Sequence, residues 1–463
     1  MKLSTMPSLS EHTFLRYFSF AILYTAQGLP EGMTYFAIPA WMAMNGKSPA
    51  EIGAFVGVIG IPWSFKIIVA PLMDRFTLLS MGRRRPWVLF GQLGLVASFI
   101  IMGLVPDPLN NLPLLMTAAF FVSFFGAFQD VATDGMAIDI VPVNEQARAN
   151  GLMWGAKIIG ISVSLASGTW LINHHGLPAA TLVLSFCVCI ILLVPLLVRE
   201  RPGEKLLPWT KGGVSPGAAG MQLDSFSIIF KSLFKVFFLP SSLYISIAFF
   251  LFNMGIALLE TMLPVFTIQE AGWTNAKYSN LFSITSLVAG FLGVVAGGSL
   301  ADFFGKRKML SIYLILFAAV MVGMALMKNY WSTGFITGFM GLYYTLYVFT
   351  SIASFAIGMQ LCWRRISATQ FTLYMAIANI GRSIGASLLG PLKANFSWEH
   401  MLIFVALLAG GALFFVMILR IKEHLTKIHL LESDYVEIEN ALLTPTILYT
   451  QNNSIVQSDV KNN

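Results

Sequence analysis

The chain has 463 residues, of which 56% are hydrophobic and only 11% charged, with a mean hydropathy of +0.74. Water-soluble domains carry about 25% charged residues, so this composition excludes a soluble enzyme, a nucleic-acid module and a secreted disulfide scaffold, and points to a chain mostly dissolved in lipid. The formal charge of +7 takes its meaning from where the basic residues fall.

Apolar runs near the ~20 residues needed to cross about 30 Å of hydrocarbon occur twelve times. They cover 14–42, 50–70, 87–105, 113–141, 151–173, 179–199, 240–266, 276–300, 308–327, 332–356, 367–392 and 398–420. The first follows a short polar stretch with no small-residue cleavage site, so no signal peptide is expected to be removed. Within it, Gly28-Leu29-Pro30-Glu31-Gly32 predicts a break or bend at mid-depth. Span 5 carries Gly151, Gly155, Gly160 and Gly168, a pattern for close helix contact. His174-His175 falls on a short outside turn and does not present two ligands to one metal. Cys187, Cys189 and Cys362 have no metal spacing and read as packing residues.

Counting Lys and Arg loop by loop sets the orientation, because basic flanks resist translocation. With both termini cytoplasmic, 22 fall inside, 4 outside (Lys47, Lys277, Lys328, Lys393) and 3 within spans. The basic balance is therefore topogenic and calls for no nucleic acid. The predicted fold class is all-α integral membrane, with 12 transmembrane helices in two pseudo-symmetric six-helix bundles. The halves are 1–199 and 240–420, joined by a flexible cytoplasmic linker, 200–239, rich in Gly, Pro and charge. A cytoplasmic tail, 421–463, turns polar beyond Glu432 and reads as largely disordered.

Two loops carry a repeat. After span 2 comes Pro71-Leu72-Met73-Asp74-Arg75-Phe76, then Gly82-Arg83-Arg84-Arg85. After span 8 comes Gly298-Ser299-Leu300-Ala301-Asp302-Phe303-Phe304-Gly305-Lys306-Arg307-Lys308. Each supplies an acid able to cap a helix N-terminus, a Gly for a tight turn, and a basic cluster that pins the loop at the cytoplasmic face. Equivalent positions in the two halves mark a duplicated six-helix unit.

The Asp302 loop resembles the G-x-L-A-D-x-x-G-x-R/K loop of the major facilitator superfamily. The first copy departs from it, with Pro71 in place of the leading Gly and Thr77 to Met81 inserted before Gly82. That departure resembles the AmpG-type branch, the muropeptide permeases related to acetyl-CoA transporters. So do Gln129-Asp130 with Asp134 and Asp139, and Ser367-Ala368-Thr369-Gln370-Phe371 with Gly381-Arg382. The resemblance implies a multi-pass carrier of the inner membrane that imports a cell-wall-derived sugar-peptide with protons by alternating access. It also implies a cytoplasmic latch between Asp139 and Arg75. The paired Gly-Pro signature of facilitator antiporters is missing from span 5, which favours uptake.

An ionisable group at mid-bilayer costs about 2.5 to 3.5 kcal/mol, so Glu31, Lys66, Asp130, Asp134, Asp139, Lys157, Glu260 and Arg382 need a reason. Asp130 and Asp134 share one face of span 4. Lys157 is level with Asp134 across the turn between spans 4 and 5, which allows an ion pair. Such a pair either joins two helices or serves transport. Glu31, Asp130 and Asp134 are the candidate proton carriers. Gln129, Lys157, Gln370, Asn379 and Arg382 are the candidate substrate ligands, Arg382 offering a permanent fork for an anion or for an interdomain carboxylate. Asp74, Arg75, Gly82, Arg83, Arg84, Arg85, Asp139, Asp302, Gly305, Lys306 and Arg307 form the gating set. Trp41, Trp63, Tyr35, Trp154, Tyr343, Tyr344 and Tyr374 either stack on a ligand or serve as packing and belt residues. No metal, cofactor or ATP site is expected. The expected partners are the bilayer, a small solute and protons, with the chain a monomer. Alternative readings are a siderophore importer, an acyl-CoA-type transporter, or a membrane sensor on a carrier scaffold.

Overall fold

Lipid offers no hydrogen-bond partners to the backbone, so an apolar chain of this kind must pair its amides within helices. The computed structural model describes residues 8–142, 145–216, 226–363 and 366–433. Helix α1 (Thr13–Glu31) continues through Gly32–Ala37 into Ile38–Met44. The break or bend expected around Pro30 takes the form of a distortion just beyond it, with the chain helical throughout. A π-helical stretch over Gly32–Ala37 widens the turn, and the Thr34 hydroxyl donates to the Pro30 carbonyl at 2.8 Å.

Helix α2 (Pro49–Ser64) opens on a capping box, in which Ser48 accepts from the Glu51 amide and Glu51 accepts from the Ser48 amide. It resumes as Lys66–Arg75 after Phe65. Next come α3 (Arg85–Gly103) and α4 (Leu112–Ile140). The helical stretch Gln146–Leu197 is broken at Gly176 (φ 81°, ψ 171°), giving α5 before it and α6 after it. Then follow α7 (Pro240–Val265), α8 (Asn275–Leu292), α9 (Lys306–Leu326), α10 (Thr333–Gln360), α11 (Ser367–Ser387) and α12 (Trp398–Met417).

Nine helices among the described residues are long and apolar enough to cross a membrane, and one of these, Gly151–Leu197, contains the Gly176 kink. Helices α1 and α11 fall outside that set. Their apolar runs are interrupted by Gln27 and Glu31 in one and by Gln370, Asn379 and Arg382 in the other.

Helix α1 packs on α5, α3 on α4 and α6, and α2 on α4; α7 packs on α11 and α12, and α9 on α10 and α12. Two pairings, α2 with α11 and α5 with α8, join these sets. Glycine lets them approach. A Cβ on Gly53 would stand 2.7 Å from the Ala386 carbonyl oxygen, and one on Gly57 2.0 Å from the Ser387 hydroxyl. The expected glycine contact of α5 holds for Gly160, packed on Thr25 and Gly28, and for Gly168 beside Met33; Gly151 and Gly155 meet open space.

Within the linker, residues 200–216 and 226–239 are described, and several of them make specific contacts. Glu200 and Glu204 are fully buried, the Lys205 amide donates to the Ser80 carbonyl, and the Leu9 amide to that of Arg199. Residues Phe226–Phe237 form a helix. In the tail, residues 421–433 are helical, with His424 buried against the Leu361 carbonyl at 2.9 Å; the remainder lies outside the described residues.

Candidate functional site

Charges that the sequence scatters along the chain are gathered by the fold into paired groups. Glu31 on α1 and Lys157 on α5 lie 2.7 Å apart. Glu260 on α7 and Arg382 on α11 also lie 2.7 Å apart. Each half thus places an acid on its first helix against a base on its fifth. Glycines make both approaches possible: a Cβ on Gly28 would sit 2.3 Å from the Lys157 carbonyl oxygen, and one on Gly385 2.0 Å from that of Met254.

The Glu31 partner corrects the Asp134 to Lys157 pairing that helix depth allowed. Asp134 instead accepts from the Tyr24 hydroxyl, and Asp130 pairs with Lys66 on the continuation of α2. Depth alone leaves rotation about the axis free. Gly28 and Gly160 bring α1 against α5 and turn Lys157 toward Glu31.

A small cavity, with free space of about 10 Å³, lies where the two sets meet, lined by Tyr35, Val56, Gly60, Ala257, Glu260, Thr261 and Arg382. The Tyr35 ring lies 6.0 Å from the Arg382 guanidinium, and its hydroxyl donates to the Ile59 carbonyl at 3.2 Å. Trp63 holds two cations on its ring, Lys66 at 4.7 Å and Lys157 at 5.3 Å, and its carbonyl accepts from Asn379 across the seam at 3.1 Å. The Trp63 indole N–H and the Ser383 hydroxyl are buried without a partner among the described residues.

Hydrogen bonds across the seam run from this level to the end that the basic-residue count assigns to the outside. Asn173 and Asn275 exchange two, at 2.9 and 2.8 Å; Thr169 meets Ser279 at 2.8 Å and Ser162 meets Ser286 at 3.0 Å. Gln269 donates to the carbonyls of Ala43 and Lys47. At the other end the sets touch through Trp154 and Phe355, ring centroids 6.0 Å apart.

That other end also holds the loop between α2 and α3. Gly82 (φ 103°) and Gly305 (φ 94°) both take a backbone conformation open to glycine, as the duplicated motif expects. Asp139 receives Arg83 at 3.3 Å and Arg84 at 3.5 Å. Arg75 ends its helix exposed, Lys306 opens α9, and Arg307 donates to the Met417 carbonyl. The side chains of Asp74 and Asp302 lie outside the described residues.

The acid that caps α3 is Glu200, which the candidate list lacked. It accepts from the amides of Arg83 at 2.9 Å, Arg84 at 2.7 Å and Arg85, while Arg85 itself donates to the carbonyls of Lys205 and Leu206. A Cβ on Gly82 would strike the Glu200 carboxyl at 2.7 Å. Burial, then the Glu204 carboxylate, push Glu200 up to about 7 against the pull of the three amides. Its sequence signal was the Arg199-Glu200-Arg201 triplet closing span 6.

Of the remaining candidates, Gln129 donates to the Leu23 carbonyl at 3.0 Å, and Gln370 bonds the amide of Trp363, the carbonyl of Leu361 and the hydroxyl of Tyr374. Both are structural ties inside one half. Glu260 and Lys66, noted only as buried charges, prove to be the partners of Arg382 and Asp130. Tyr24 had no such signal, because nothing along the chain places its hydroxyl beside Asp134. No group of three His, Cys, Asp or Glu able to hold a metal occurs among the described residues.

A duplicated bundle, a charged mid-depth seam and closely packed glycines define a membrane carrier. The chain belongs to the Major Facilitator Superfamily, whose sequence pattern matches residues 20–386. It is 26% identical over 410 residues to the anhydromuropeptide permease of Escherichia coli (strain K12), covering 86% of this chain and 78% of that protein. It is 24% identical over 433 residues to the putative transporter AmpG 4 of Rickettsia felis, covering 88% and 97%. Among solved structures it resembles a bacterial homolog of the human lysosomal transporter Spinster in an inward-facing, unoccupied conformation. That match has a TM-score of 0.67, 14% identity, and covers 90% of this chain and 98% of that one. It also resembles the nucleoside transporter NupG, with a TM-score of 0.66, 12% identity, and 87% and 98% covered. The protein is a multi-pass transporter, and the AmpG-type likeness read from its motifs agrees with these relatives.

Proposed function

We propose that this transporter imports a cell-wall-derived sugar-peptide across the inner membrane, driven by the proton gradient. The observation that carries the reading is the Arg382 and Glu260 pair at the wall of the central cavity. A permanent guanidinium there can receive a peptide carboxylate through paired hydrogen bonds. Tyr35 supplies a ring face for a sugar, and the unpartnered Trp63 N–H and Ser383 hydroxyl supply polar contacts. The anhydromuropeptide permease among the relatives supports this substrate class.

With the termini in the cytoplasm, the hydrogen-bonded seam lies on the outer side, so the described state is closed to the outside. The free space there, about 10 Å³, is far below the ~300 to 1,000 Å³ usual for ligand pockets. Loading therefore requires the halves to part around the cavity. Rocking about the α2 with α11 and α5 with α8 contacts would do this.

Glu31, Asp130 and Asp134 are the proton carriers in this reading: Glu31 lies against Lys157, Asp130 against Lys66 and Asp134 against the Tyr24 hydroxyl. Replacing Glu31→Gln, Asp130→Asn and Asp134→Asn singly should abolish uphill uptake driven by a pH gradient for at least one of them. Full uphill uptake in all three would reject proton coupling through this set. Substrate class is tested in cells lacking this gene, supplied with labelled anhydro-muropeptide and labelled siderophore side by side. Restored uptake of the first alone is expected; restored uptake of the second alone would replace the proposal with siderophore import.

A further inference from the structure

The segment Phe226–Phe237 joins the linker to α7 and has two unlike faces. Leu233 and Val236 are buried against Trp363, Ile366 and Ile428, at the ends of α10 and α11 and on the helix that follows α12. The opposite face carries Phe230 (49% exposed), Phe234 (68%) and, just beyond the helix, Phe238 (53%), each one turn after the last. The Phe234 and Phe238 rings meet at a tilt, with centroids 4.7 Å apart. Lys231 and Lys235, both exposed and again one turn apart, flank this stripe, and the segment contains no acidic residue.

We infer that this helix lies on the cytoplasmic leaflet, with its phenylalanines at the acyl boundary and Lys231 and Lys235 on anionic lipid headgroups. Three large rings in one line are not left in water by a stable surface helix, and lysines beside aromatics fit the interfacial pattern. Continuity decides for lipid over a protein partner. Helix α7, a membrane span, begins at Pro240, three residues past Phe237, so the exposed stripe is held beside the cytoplasmic end of that span, where the bilayer surface must lie. The charge agrees, since each basic residue at an anionic surface is worth roughly five-fold in partitioning. Through Leu233 and Val236 the helix ties the leaflet to the loop between α10 and α11, where Trp363 and Gln370 meet. This inference holds whatever solute is carried.

The test uses the full chain with Cys187→Ser, Cys189→Ser and Cys362→Ser, and a nitroxide on Phe234→Cys in nanodiscs containing phosphatidylglycerol. Power saturation with oxygen and with a water-soluble nickel complex reads the depth, and a label at exposed Lys211→Cys gives the aqueous reference. The oxygen-to-nickel ratio at position 234 should exceed the reference several-fold. It should fall when Lys231→Glu and Lys235→Glu are added, or when phosphatidylcholine replaces phosphatidylglycerol. A ratio equal to the reference places the helix in water, and a label closed to both reagents places it under protein; either overturns the inference. Equal depth in the two lipids overturns the headgroup contact.

Discussion

Arg382 serves two purposes in the proposed mechanism, and a pair of variants separates them. Its guanidinium lies 2.7 Å from Glu260, which is almost wholly buried. Arg382→Gln removes the cation and strands a carboxylate, a change that costs about 3 to 5 kcal/mol for a buried pair. Glu260→Gln combined with Arg382→Gln leaves two neutral amides that can bond each other, so most of that stability should return. Uptake should not return. A charge-assisted hydrogen bond contributes about 1.5 to 3 kcal/mol, and at about 1.36 kcal/mol per decade its loss lowers uptake efficiency roughly 10- to 150-fold. The assays are thermal unfolding in detergent and initial uptake of labelled anhydro-muropeptide into proteoliposomes. A double variant with both the native melting midpoint and native uptake would reduce the pair to a strut between α7 and α11 and refute the anchoring role.

Three further outcomes are expected. Asn173→Cys with Asn275→Cys, in a chain freed of its native cysteines, should be bridged across the outer seam by a short bis-methanethiosulfonate reagent, since these side chains exchange hydrogen bonds at 2.8 and 2.9 Å. Uptake should stop on crosslinking and recover on reduction; unimpaired uptake by the crosslinked protein would mean that this seam does not part. Gly385→Ala places a Cβ 2.0 Å from the Met254 carbonyl oxygen, a backbone atom that cannot turn aside. It should lower the melting midpoint and weaken uptake together, and a neutral result would disprove the close packing of α11 on α7. Glu200, raised to about 7 from an ordinary value near 4.5, binds a proton more readily in the fold than in the unfolded chain. Its contribution is therefore present at low pH and lost as pH climbs through about 7, a linkage of up to about 3 kcal/mol. Melting midpoints measured from pH 5 to 8 should fall with rising pH in the parent and flatten in Glu200→Gln; parallel curves would assign the titration elsewhere.

Spans, basic loops and the duplicated Gly82 and Gly305 turns were legible along the chain because each obeys a local rule: apolar length, charge at the inner face, and a backbone angle that favours glycine. The eight buried charges were legible for the same reason, since any ionisable residue in an apolar run stands out. Their partners were not. Lys157 lay at the right depth for Asp134, yet glycine contacts between α1 and α5 rotate it to Glu31. Pro30 predicted a break or bend, and only the structure shows that the chain stays helical and widens to a π-turn over Gly32–Ala37. The linker's composition gave no sign that its first residues, through Glu200 and Lys205, bond to the loop between α2 and α3. By itself the sequence determined a duplicated membrane carrier and the identity of its costly residues. Only the tertiary structure decided which acid meets which base and where a hollow remains, because helix rotation and close approach are set by packing between segments far apart in the chain.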